Sequence, residues 1–160
     1  MIIISHRGNL DSICPEFENR PDYIDTALKY YDVEIDLRVI NNELYLGHDN
    51  PDYKIDINWL LERKNKLWIH CKNIEACLFL QKYKNELKYF WHTCDQISII
   101  SNHWLWCHKF DESLPYSSCI LPLLSLDDIK NYQFSLPEAV CTDYPNYLKT
   151  YYENRKNKNS

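Results

Sequence analysis

The chain has 160 residues, long enough for one domain with a real core. At 45% hydrophobic and 26% charged residues, it is globular rather than disordered. A formal net charge of −5 argues against a nucleic-acid partner, and no apolar run approaches the ~20 residues of a membrane-spanning helix.

Met1 to His6 carries neither the basic region nor the long apolar region of a secretory leader, so none is expected. The seven cysteines are odd in number, scattered and without a C-x-x-C pair. Reduced thiols in a cytoplasmic compartment are therefore expected rather than a zinc ribbon or disulfide framework. The sequence has only two glycines, Gly8 and Gly47, and both sit close to histidines, in His6-Arg7-Gly8 and Gly47-His48. Such scarce glycine points to unusual backbone angles or close approach to a ligand.

In chain order, Met1 to Ser5 reads as a buried strand ending at His6-Arg7-Gly8. Pro21 to Tyr31 reads as a helix with Pro21 in its first turn, and Ile24, Ala27, Leu28 and Tyr31 share one face. Val33 to Val39 alternates apolar and charged residues without a break, the two-residue period of a strand. Asn41-Asn42 is a turn, Glu43 to Gly47 a short strand, and His48 to Pro51 a loop. Asp56 caps a short helix to Lys64; Leu67 to Lys72 is a strand; Asn73 caps a helix to about Leu87. Short strands follow at Tyr89–His92, Ile97–Ser101, Trp104–Cys107 and Ser118–Leu121. Ser125 to Tyr132 is a helix whose Ser125 and Asp128 match a capping box. Ala139 to Thr142 is the last strand, and a helix from Asp143 to about Asn154 closes the domain. Residues 155–160 form a polar tail. Alternating strands and helices predict an α/β fold with a mostly parallel sheet, in a single domain over residues 1–154. A full (β/α)₈ barrel needs ~250 residues, so a barrel here is a reduced TIM-type one, lacking helices in its second half.

The polar residues gather where strands end. Glu34 and Asp36 lie on one face of their strand, about 7 Å apart at ~3.3 Å rise per residue. Two carboxylates on the inner face of a sheet need a partner, either a divalent cation or an ion pair with Arg38 or a lysine. His6, Arg7, His48, Asp49, His70, Lys72, His92, Asp95, Thr142 and Asp143 end or follow other strands. In parallel α/β folds that edge binds ligands. An electropositive pocket around two carboxylates suits a phosphate ester bridged to a cation. Trp91, Trp104 and Trp106 with Tyr89 and Phe90 either wall that pocket or, as we expect, fill the interior. Cys71 faces the opposite side of its strand from His70 and Lys72 and reads as core.

Five short motifs stand in order: Ser5-His6-Arg7-Gly8, Glu18-Asn19, Glu34-Ile35-Asp36, Gly47-His48-Asp49 and Cys141-Thr142-Asp143-Tyr144-Pro145. Together with Trp68 to Asn73 they resemble the glycerophosphodiester phosphodiesterases, and are also similar to sphingomyelinase-D-type toxins. The resemblance implies a TIM-barrel hydrolase of a small-molecule or lipid phosphodiester that uses one divalent cation, Mg²⁺, Ca²⁺ or Mn²⁺. Under it Glu34 and Asp36 are metal ligands and His6 and His48 the acid–base pair. Arg7 and Lys72 neutralise phosphate oxygens, and Glu18 supports the metal or its water. The chain departs from the family at His70, where a third carboxylate ligand is usual. Either imidazole shifts the preference toward Zn²⁺ or Mn²⁺, or another group such as Asp49 or Asp95 completes the shell, or metal binding is weak. The competing expectations are a non-catalytic descendant that binds phosphate or phospholipid head groups, and a zinc-dependent hydrolase. Oligomeric state is not readable from these motifs.

Overall fold

A computed structural model describes residues 1–108, 117–132 and 137–158, with side chains up to 154. The fold is α/β, a ten-stranded, mostly parallel sheet with five helices among the described residues. The first five strands are β1 (Ile2–His6), β2 (Asp32–Ile40), β3 (Glu43–Leu46), β4 (Tyr53–Ile55) and β5 (Leu67–Cys71). β6 (Tyr89–Phe90), β7 (Ile97–Ile99), β8 (Leu105–Cys107), β9 (Cys119–Pro122) and β10 (Ala139–Thr142) follow. The helices are α1 (Pro21–Ala27), α2 (Ile57–Glu62), α3 (Ile74–Leu80), α4 (Leu126–Asn131) and α5 (Pro145–Lys158).

The parallel run is β6-β5-β2-β1-β10-β9-β8, with β7 antiparallel on β8. β3 and β4 form an antiparallel flap on the C-terminal half of β2, where Leu37 pairs with Leu46. β4 was not foreseen, because three residues are too few to display a period. Beyond β7, Ser101 N–H donates to the Tyr89 carbonyl at 2.8 Å, tying the far flank of the sheet to β6. Ile4, Trp68, Phe90, Ile100, Trp106, Ile120, Ala139 and Cys141 accordingly meet in one buried cluster although they come from both flanks. Phe90 and Trp106 stack there at 4.6 Å. Most of the aromatic stretch is therefore filling, as expected; Trp91 is exposed, and Tyr89 packs on the opposite face.

The other face of the sheet carries the helices. Val33, Ile35, Leu37 and Val39 of β2 and Leu67, Ile69 and Cys71 of β5 pack against Ile24, Ala27, Leu60, Ala76 and Leu80. Leu121, Val140, Ile129 and Leu148 make a smaller cluster, with Tyr144, Tyr147 and Tyr151 packed against it. Asp56, Asn73 and Ser125 cap their helices as read, and Ser125 and Asp128 form the full capping box. Helix ends differ from expectation in α1, α3 and α5, and α2 stops at Glu62, short of Lys64. α1 stops at Ala27: the Leu28 N–H still bonds to the Ile24 carbonyl, but the Lys29 and Tyr30 N–H groups close on the Thr26 and Ala27 carbonyls in tighter three-residue turns. α3 stops at Leu80 and tightens into a 3₁₀ turn, Gln81–Tyr83. α5 begins at Pro145, since Asp143 is held elsewhere, and its backbone continues through part of the expected tail to Lys158. No helix among the described residues is long and apolar enough to cross a membrane.

Candidate metal centre

Strand register assembles the site. His6 of β1 lies opposite Glu34 of β2, and Asp36 lies opposite His70 of β5. The β2 alternation turns Val33, Ile35, Leu37 and Val39 toward the helices, so Glu34 and Asp36 face the interior, 2% and 0% exposed. One ligand atom each from Glu34, Asp36 and His70 falls within 4.8 Å of the others, the only such trio of His, Cys, Asp or Glu among the described residues. His70 Nδ1 is 3.2 Å from Asp36 Oδ1 and 3.8 Å from Glu34 Oε1. Glu34 Oε2, Asp36 Oδ1 and His70 Nε2 are buried without a hydrogen-bond partner. Orphaned polar atoms of this kind are costly in a folded interior. Two carboxylates and an imidazole are a fitting donor set for one divalent ion. Asp49 and Asp95 do not join the trio.

The carboxylates differ in character. Burial, reinforced by the charge of Asp36, pushes the Glu34 pKa up to about 7. Burial also works against the Asp36 charge, but His70, the Arg7 guanidinium and the Asn19 amide outweigh it and hold Asp36 well below the usual carboxylate range. Asn19 grips Asp36 twice. Its Nδ2 donates to Oδ2 at 2.9 Å, and its Oδ1 accepts from the Asp36 N–H at 2.9 Å. Arg7 Nε pairs with Asp36 Oδ2 at 2.9 Å and Arg7 Nη1 donates to Glu18 at 3.0 Å. Arg7 and Asn19 both adopt positive φ, 54° and 62°, locked by N–H bonds from Arg7 to the Glu34 carbonyl and from Asn19 to the Arg7 carbonyl. Such backbone strain collects at functional sites. Lys72 Nζ is 3.9 Å from Asp36 Oδ1. Glu18 is engaged by Arg7 and by Asn9 Nδ2 and so braces the loop after β1.

Of the two candidate histidines of the motifs, His6 is the more buried, its side chain 14% exposed. Its Nε2 is 3.8 Å from Glu34 Oε2, while its Nδ1 pairs with Asp143 Oδ1 at 2.8 Å. Burial lowers the His6 pKa, but the Asp143 hydrogen bond and the Glu34 and Asp143 charges outweigh it, so the net shift is upward. Asn9 Nδ2 donates to the same Asp143 oxygen at 2.8 Å. The sequence places Asp143 in a motif and among the polar residues that follow strands, but gives it no role and no contact with His6. His48 stands on the rim, brought there by the Gly47 N–H bond to the Asp36 carbonyl. Its side chain is 37% exposed and its Nδ1 pairs with Asp49 Oδ1 at 2.7 Å. Its carbonyl accepts from Arg38 Nη2 at 2.6 Å. Gly47 has φ 144°, and a Cβ there would meet the Asn50 carbonyl oxygen at 2.0 Å, which explains this glycine. Burial lowers the His70 pKa, which favours the neutral ring that a metal ligand must be.

Comparison of the chain with family models, with curated proteins and with solved structures gives no match. The functional reading therefore rests on this geometry.

Proposed function

We propose that this chain is a metal-dependent phosphodiesterase acting on a glycerophosphodiester-type or phospholipid head-group phosphodiester, built on a reduced TIM-type barrel. The observation that carries the reading is the buried Glu34–Asp36–His70 trio with its unpartnered atoms and with His6 Nε2 beside it. The barrel reading draws on the interior cluster shared by both flanks of the sheet.

Glu34, Asp36 and His70 would hold one divalent cation, which supplies positive charge to a phosphate oxygen when bound. The two histidines share a construction. A carboxylate can only accept, so Asp143 fixes the proton of His6 on Nδ1, and Asp49 does the same for His48. Each Nε2 is left to move a proton. One imidazole takes the proton of the attacking hydroxyl as its oxygen bonds to phosphorus. The other gives a proton to the leaving oxygen as the second P–O bond breaks. Arg7 and Lys72 add positive charge for the remaining phosphate oxygens while tied to Asp36.

The test is hydrolysis of bis(p-nitrophenyl) phosphate by metal-free protein resupplied with Mg²⁺, Mn²⁺, Ca²⁺ or Zn²⁺. Stimulation by one ion, abolished in both His6→Ala and His48→Ala, supports the reading. A second reading, binding of phosphate or head groups without turnover, is favoured by the exposure of the His48 ring. Folded protein that binds inorganic phosphate but stays inert with every ion decides for it.

A further inference from the structure

Beyond His70 lies a second group of nitrogen ligands that the proposed reaction does not use. His92 follows β6 and His108 follows β8. The antiparallel β7–β8 pair brings them together, with the His108 N–H bonded to the Gln96 carbonyl at 2.8 Å. His92 Nδ1 and His108 Nε2 face one another at 2.7 Å, with the rings edge-on at 4.1 Å. The His92 ring also lies 4.4 Å from that of His70. A cavity of about 380 Å³ opens on the pair, lined by His92, Thr93, Cys94, Asp95, Gln96 and His108.

Two imidazole nitrogens at this separation share one proton, so one of them always turns a lone pair toward the other. If the donor ring moves its proton to its own second nitrogen, both lone pairs converge on one point and no proton is released. Two nitrogens bound to a tetrahedral zinc at ~2.0 Å stand roughly 3.3 Å apart. The pair therefore has to open by about half an ångström, with the rings tilted until both lone pairs aim at the ion. Cys94 and Asp95 bring a thiol and a carboxylate to the same cavity, the other two donor types zinc accepts. Among the described residues no third donor of the cavity wall yet converges on the pair, which by itself offers two nitrogens, whereas the Glu34–Asp36–His70 trio has two carboxylates. Imidazole and thiol suit Zn²⁺ and disfavour Mg²⁺ and Ca²⁺.

We propose that His92 and His108 form a second metal site, of the zinc class, next to but separate from the trio around Glu34. It takes its remaining ligands from the 94–95 loop or from water. It does not depend on the phosphodiesterase reading.

The test uses the full chain, stripped by chelator and titrated with Zn²⁺ in competition with a chromophoric chelator. The wild type is expected to take up two zinc equivalents. The His92→Gln/His108→Gln double variant loses one, and Asp36→Asn loses the other. A single equivalent that survives Asp36→Asn but vanishes in the double variant also supports the second site, while counting against the first. A double variant that binds as much zinc, as tightly, as the wild type overturns the proposal. A check free of mutation is carbethoxylation by diethyl pyrocarbonate, mapped by mass spectrometry on the wild type. Zinc should suppress modification of His92 and His108, because a nitrogen bound to the ion has no lone pair left to react, while the exposed His103 reacts as before. Equal modification with and without zinc overturns the proposal even if the double variant does not fold.

Discussion

Asp143 and His6 are separated by 137 residues, yet the Asp143 carboxylate holds the His6 Nδ1 at 2.8 Å. The contact exists because β1 and β10 are parallel neighbours, with Ser5 paired to Thr142, so the residues following each pair meet at the same rim. The raised His6 pKa stabilises the fold fully below the unfolded value near 6.5, and this contribution is lost as pH rises through the folded value. Asp143→Asn should therefore cost about 1.5–3 kcal/mol at pH 5.5, the usual worth of a hydrogen bond to a charged group, and clearly less at pH 9. Urea unfolding at both pH values, without metal, measures the difference. Equal losses would show that the Asp143 charge does not act through His6.

Glu34 is expected to oppose stability in the metal-free protein. Its folded pKa of about 7 exceeds the ordinary 4.5, so the folded state binds the extra proton and stability falls as pH rises between those values. Glu34→Gln removes that fall. At pH 8 in chelator the variant should be more stable than wild type, by on the order of 1–3 kcal/mol. Saturating divalent ion should reverse the order, because only the wild type gains binding energy. Chemical denaturation with and without the ion reads both effects.

Asn19 is best probed by Asn19→Gly, which keeps the backbone at positive φ and deletes only the side chain. Two buried hydrogen bonds to Asp36 disappear, at a cost of about 2–4 kcal/mol. The depressed Asp36 pKa contributes stability present above its unfolded value and lost as pH falls through the folded one. Weakening that depression moves the acid-unfolding midpoint to higher pH, measurable by circular dichroism.

Gly47→Ala tests the rim. Its Cβ has no room against the Asn50 carbonyl, and φ 144° is strained for any L residue with a side chain. A loss of about 1–3 kcal/mol or more is expected in thermal melts. The His48 ring resonances should shift more than those of His6, since the turn carries the first and not the second.

The element sequence was readable along the chain because its signals are local. The unbroken alternation from Val33 to Val39, the caps at Asp56, Asn73 and Ser125, and the switch between periods each lie within a few residues. The pairing of Glu34 with Asp36 was readable for the same reason, since residues two apart on a strand share a face. The full lengths of α1 and α3 were not, because their apolar faces continue past the point where the chain turns away.

What the sequence by itself determined is therefore the order of strands and helices, β4 apart, and the two carboxylates of β2. Tertiary structure alone decided that His70 stands across from Asp36, that Asn19 and Arg7 grip Asp36, and that Asp143 orients His6. It also decided that His92 meets His108. The physical reason is that sheet order and register are set by the burial of whole faces against one another, and side chains distant in sequence become neighbours only when those faces close.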